Sequence, residues 1–141
     1  MSLKIIYPLR IYVNKKILKN KRAKNRPSQG KRERYIQPSI LMGLYGKASY
    51  GYELIQGIHQ YGFISGQAPP GMIYRHFRQL EEEGLVSSEW ETDGAGPAKR
   101  MYKLTSEGKD LLALWVEYME KQASTLNNFV KQYREVKKNH I

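Results

Sequence analysis

Between Ser49 and Thr105 the apolar residues recur first at helical and then at strand spacing, with Gly or Pro at each change. Ile73, Phe77 and Leu80 stand at i, i+4 and i+7, so they share one face of a helix. Pro69 or Pro70 starts that helix, because a first-turn proline lacks only an N–H that the helix leaves unbonded anyway. The pattern runs to Glu83 and stops at Gly84. Val86 to Glu91 and Arg100 to Leu104 then read as short strands around the turn-rich loop Thr92–Pro97.

Helical patterns flank this core. A first helix is expected from about Arg32 to Tyr45, carrying Tyr35, Ile36, Ile40, Leu41 and Leu44, with Pro38 either starting or kinking it and Gly46 ending it. A second runs roughly from Tyr50 to Tyr61, with Ser49 offering an N-cap oxygen and Gly62 the stop. A last helix runs from Ser106 to about Lys137, capped by Thr105 and helped by Glu107. The order is helix, helix, basic-edged helix, strand, hairpin loop, strand, long helix. The fold class is mainly α with a small β-hairpin wing (α+β): a winged helix-turn-helix plus a long C-terminal dimerisation helix. Three regions follow: a basic arm over 1–30, a winged-helix domain over 31–104, and a dimerisation helix over 105–141.

Charge separates the arm from the rest. Residues 1–34 hold 12 Lys/Arg against one acidic residue, Glu33, so the entire net charge of +11 lies there and the remaining chain is neutral. Such a block is attracted to polyanions without reading sequence. Three readings stay open for it: a solvated tail, an accessory nucleic-acid contact through counterion release, or an anionic-membrane anchor using Ile5, Ile6, Leu9, Ile11, Val13, Ile17 and Leu18. The chain contains no cysteine, which excludes disulfides and thiolate chemistry. No run reaches the ~18–20 apolar residues of a membrane span, and the N-terminal residues lack the apolar stretch of a secretory signal. A cytoplasmic protein is expected.

An α-helix fits the major groove, so a reading helix needs one apolar face and one face of hydrogen-bonding side chains. The third helix has both. Met72, Arg75, His76 and Gln79 lie opposite the apolar residues. Arg75 suits a guanine edge and Gln79 an adenine edge, each worth about 1–3 kcal/mol of discrimination when bidentate; His76 is a third candidate reader. Tyr74 and Arg78 border the two faces and suit phosphate or sugar contacts. Lys99 and Arg100, after the loop, would place a wing on a neighbouring phosphate, or serve as charges guarding a strand edge. Ser49, Tyr50 and Tyr52 sit at a helix N-terminus, a favourable phosphate position. The expected partner is double-stranded DNA.

In the last helix Leu112, Trp115, Met119, Gln122, Leu126, Phe129 and Tyr133 alternate spacings of three and four. This 3.5-residue repeat predicts a seam against the same helix of a second chain, giving a two-fold homodimer, although part of it can pack on the first helix. Trp115, Tyr118 and Met119 offer an aromatic effector site between subunits as the alternative to a plain hydrophobic seam. Enzyme chemistry finds no support. His59, His76 and His140 lack metal-ligand spacing, and no phosphate loop or nucleophile motif is present. No cofactor, metal or catalytic residue is assigned.

Residues 35 to 110 resemble the PadR family of transcriptional regulators. The likeness is carried by Ser49-Tyr50-Gly51-Tyr52-Glu53-Leu54, Ile73-Tyr74-Arg75, Leu80-Glu81-Glu82-Glu83-Gly84-Leu85-Val86, Gly96-Pro97, Lys99-Arg100-Met101-Tyr102-Lys103-Leu104-Thr105 and Glu107-Gly108. The resemblance implies a winged-helix domain, a helical dimerisation region and repression of a nearby promoter. In some members it implies a response to phenolic acids or bulky aromatic drugs held at the dimer interface. The single C-terminal helix is similar to that of the short subgroup. The arm before Lys31 and the two prolines ahead of the third helix depart from the family pattern. The function expected is a homodimeric, sequence-specific DNA-binding repressor. The alternative is a dimeric protein-interaction module tethered to RNA or membrane by its basic arm.

Overall fold

The computed structural model describes residues 33–64, 68–91 and 96–140; the expectations for the arm at 1–30 and for the middle of the hairpin loop lie outside them. Helix α1 spans Ile36–Gly43. Pro38 falls in its first turn, where no backbone donor is lost, so the helix starts there without a kink. Strand β1 is the dipeptide Ser49–Tyr50. Helix α2, Gly51–Gly57, follows directly and tightens into a 3₁₀ turn over Ile58–Tyr61, closed by Gly62. Helix α3 is Pro70–Glu82, with Pro69 as its cap and Pro70 its first residue. Strands β2, Val86–Glu91, and β3, Lys99–Leu104, form the predicted hairpin, and helix α4 spans Ser106–Asn139.

The sheet has the order β1-β3-β2, antiparallel throughout. Its third strand corrects the reading of Ser49. Ser49 pairs with Tyr102, and its hydroxyl donates to the carbonyl of Tyr50, so it does not cap α2. Tyr50 is the residue at the cap position and makes no side-chain cap bond.

The core draws on all four helices and on strands β2 and β3. Ile36, Ile40 and Leu41 of α1 meet Leu54 and Ile58 of the α2 segment, Ile73, Phe77 and Leu80 of α3, and Leu111 of α4, all buried. Each such side chain contributes about 1.5–3 kcal/mol of burial. Tyr102 reaches the same core from β3, its ring centroid 4.9 Å from that of Phe77. Three helices and a three-stranded wing around one core constitute a winged helix-turn-helix.

Helix α4 begins as predicted. The Thr105 hydroxyl accepts from the Gly108 N–H at 3.0 Å and donates to the Gly84 carbonyl at 2.8 Å, joining the end of α3 to the start of α4. At Gly108 the backbones meet so closely that a Cβ would overlap the Leu85 carbonyl and stand 2.6 Å from Leu104 Cδ1. The seven-residue stripe divides here. Leu112 and Trp115, the latter 3% exposed, are buried in the protomer's own core, which corrects their assignment to a seam between chains. The reason is α1: Trp115 meets Tyr35 edge-to-face at 6.2 Å, and Tyr35 in turn covers Phe63 at 4.6 Å. Met119 is half-buried against the core. Gln122, Leu126, Phe129 and Tyr133 are exposed, as are Val130 and Val136. Among the described residues no helix is long and apolar enough to cross a membrane.

Candidate nucleic-acid interface

Helix α3 turns its apolar side inward and leaves Tyr74, Arg75 and Arg78 exposed along its length. Tyr74 is fixed from two sides. Its ring meets Phe77 edge-on at 5.3 Å. It also lies across Gly51, where an added Cβ would approach Tyr74 Cε1 to 3.0 Å. A glycine at the start of α2 is therefore what lets α2 and α3 approach. The Arg75 side chain is 60% exposed and pairs with Glu33 ahead of α1. Gln79 is half-buried, its Oε1 accepting from Gln37 Nε2 at 3.3 Å.

His76 differs from expectation. It is buried at the α1–α3 contact, with Nδ1 3.2 Å from Gln37 Nε2 and Nε2 3.4 Å from Glu33 Oε1. A side chain held in this way is not offered to a base, so His76 is corrected from a reader to an interior polar residue.

The wing is tied to the far end of the same helix. The Arg100 guanidinium donates to Glu81 Oε1 at 2.7 Å and, through Nε, to Ser88 Oγ at 2.8 Å, while Ser88 donates to the second Glu81 oxygen. The cation also lies 5.6 Å from the ring centroids of both Tyr102 and Trp90. Through Nε and one Nη donor Arg100 therefore holds β2 and β3 to α3, a structural engagement that differs from the phosphate role given to it. It also neutralises one of the three glutamates at the acidic end of α3. Lys99 is exposed, with Nζ 5.4 Å from the centroid of Tyr50.

Tyr50 and Tyr52 stack in parallel, 5.8 Å between centroids and 4° between planes. The Tyr50 hydroxyl donates to Glu91. That hydrogen bond, aided by desolvation and by the charge of Glu91, pushes the phenol up to about 12. Burial raises Tyr102 from its ordinary value as well.

The interface thus brings together Tyr74, Arg75, Arg78 and Gln79 on one helix, with Lys99, Tyr50 and Tyr52 on the wing side. Sequence reasoning missed Trp90, 61% exposed on β2. The period of two that places Val86 and Ser88 on the α3 side of the sheet places Trp90 there too, beyond the edge of the core. Glu33 and Gln37 were missed because their partners lie 39 or more residues away. Of the residues read as an aromatic effector site, Trp115 is buried, and Tyr118 and Met119 are half-buried beside it, Tyr118 edge-on to Trp115 at 5.9 Å. Among the described residues no group of three or more His, Asp or Glu side chains gathers to hold a metal ion.

Comparison with known proteins matches residues 40–114 to the transcriptional regulator PadR-like family. A PadR-like transcription factor from Bacteroides fragilis superposes with a TM-score of 0.62 at 25% identity, covering 75% of this chain and 99% of that one. A PadR family transcription regulator from Clostridium difficile R20291 gives 0.59 at 26% identity, covering 68% and 98%. Bacillus subtilis PadR, solved in complex with operator DNA, gives 0.50 at 26% identity over 57% of this chain and 46% of that protein.

Proposed function

The chain belongs to the PadR-like family of transcriptional regulators, and from that premise we propose that it is a homodimeric DNA-binding repressor of a nearby promoter. The observation that carries the reading is the exposed Tyr74–Arg75–Arg78 face of α3, anchored at its far end to a wing bearing an exposed Lys99. In this reading α3 enters the major groove by its N-terminal half, because Glu82 and Glu83 at the other end are exposed and would repel phosphate. Arg75 and Gln79 read base edges, while Arg78, Tyr74, Lys99, Tyr50 and Tyr52 contact the backbone. The operator complex of the Bacillus subtilis relative supports DNA as the partner. The uncovered half of α4 supports a second copy of the chain as the other, which would present two reading helices to a two-fold site.

The test is a gel-shift titration against the gene's own upstream fragment, beside a scrambled fragment of equal length, at two salt concentrations. A complex that survives competitor and the higher salt supports the reading. Equal binding to both fragments that disappears with salt refutes sequence recognition at that promoter. Replacement of Arg75 by Ala is expected to cost about 1–3 kcal/mol and to relax specificity at one base pair.

A further inference from the structure

Behind the reading face of α3 lies a polar network linking it to the residues that enter α1. Glu33 has a side chain only 8% exposed, and its Oε1 meets both the Arg75 guanidinium and, at 3.4 Å, His76 Nε2. One turn later the amide of Gln37 reaches His76 Nδ1 and Gln79 Oε1, at 3.2 and 3.3 Å. Two residues four apart in sequence thereby engage the three consecutive polar positions on one side of α3. A carboxylate this buried is destabilising unless a cation answers it, so the Glu33–Arg75 contact is unlike an exposed surface pair. An exposed arginine otherwise loses much of its rotamer freedom when a ligand fixes it. A buried carboxylate beside it removes much of that loss in advance, while the side chain stays 60% exposed and keeps further guanidinium donors for a ligand.

We propose that Glu33 and Gln37 are specificity-determining positioning residues, which hold Arg75 and Gln79 in the orientation that reads bases. The inference rests on the DNA-reading role assigned to α3. It predicts that Glu33 acts on sequence discrimination through Arg75 and not on affinity for DNA in general. The contact also joins the reading helix directly to the chain that follows the basic segment, since Glu33 comes immediately after Arg32.

The experiment is a double-mutant cycle on the full chain. The readout is the ratio of affinities for the operator and for an operator altered at the base pair where Arg75→Ala loses discrimination. Glu33→Gln is expected to lower that ratio about tenfold, to leave binding to scrambled DNA unchanged, and to have no further effect in the Arg75→Ala background. An unchanged ratio overturns the proposal, as does an equal loss in both backgrounds, which would mark a purely structural role. Should Glu33→Gln fail to fold, nitrogen-15 relaxation of the arginine Nε groups in the wild-type protein decides the matter. Arg75 is expected to be ordered while the exposed Arg78 is mobile; equal mobility overturns the proposal. If wild-type protein does not distinguish operator from scrambled DNA, the proposed function fails first, and that result is read without any variant.

Discussion

In the proposed homodimer, replacing Phe129 by Ala should dissociate the two chains without unfolding either winged helix. Phe129 is 72% exposed within a protomer, and Leu126, Val130, Tyr133 and Val136 are exposed beside it at helical spacing. These residues continue the line that Leu112 and Trp115 begin in the core, so among the described residues one stripe is covered by α1 at its start and left exposed along its second half. Helix α4 has 34 residues and is therefore about 51 Å long. Full burial of a Phe side chain yields about 1.5–3 kcal/mol, and the exposed share of Phe129 makes this about 1–2 kcal/mol. Two-fold symmetry counts it twice, giving about 2–4 kcal/mol. The dimer Kd should then rise about 30- to 700-fold, since 1.4 kcal/mol is a factor of ten. Sedimentation equilibrium over a concentration series measures this directly. Asn128→Ala, exposed and about 100° around the helix from Phe129, away from Leu126 and Val130, is the control expected to leave Kd unchanged. Operator binding should weaken in parallel, because a monomer offers one reading helix. A wild-type protein that is monomeric at micromolar concentration, or a Phe129→Ala variant with the parent's Kd, refutes the reasoning.

Further outcomes follow from the same geometry. Gly108→Ala should cost about 3 kcal/mol or more in urea unfolding, because the new Cβ overlaps the backbone of Leu85; a cost under about 1 kcal/mol would show that α4 can shift. Lys99→Ala should lower the salt slope of DNA binding by about one, uniformly across sequences. Arg100→Ala should instead leave that slope nearly unchanged and cost about 1 kcal/mol of stability, since its pair with Glu81 is partly exposed. Tyr50 is an acid whose folded value is raised to about 12, so its bond to Glu91 stabilises the fold fully below the ordinary tyrosine range near 10 and is lost as pH climbs through about 12. Carbon-13 NMR of the tyrosine ring should show Tyr50 titrating near 12 in the parent and close to 10 in Glu91→Ala.

What could be read in the sequence was whatever a short window determines. The ends of α3 were legible because Pro70 and Gly84 act on their own turns, and the start of α4 because Thr105 bonds a donor three residues away. Strand β1 was not legible. Two residues carry no periodicity, and Ser49 and Tyr50 become a strand only because Tyr102 and Met101, more than fifty positions later, supply their partners. His76 was misplaced for a related reason. At about 100° per residue it lies roughly 60° from Ile73 around α3, on the margin of the apolar face. A hydrophobicity pattern assigns that margin to solvent, whereas here Glu33 and Gln37 of another segment provide it with polar neighbours.

The same limit governs the charges that matter most. Arg75, Lys99 and Arg100 look equivalent as letters, and each was read as a DNA ligand. Their surroundings separate them. Arg100 is engaged by Glu81 and Ser88 between two aromatic rings and serves to fix the wing. Lys99, one residue earlier on β3, points to the other side of the sheet and stays exposed over Tyr50. The strand's period of two, combined with one buried-side anchor, thus divides adjacent basic residues into a structural cation and an available one. Arg75 lies between these cases, paired with a buried carboxylate but still 60% exposed, which is the condition required of a side chain that must be held in place before it meets a base.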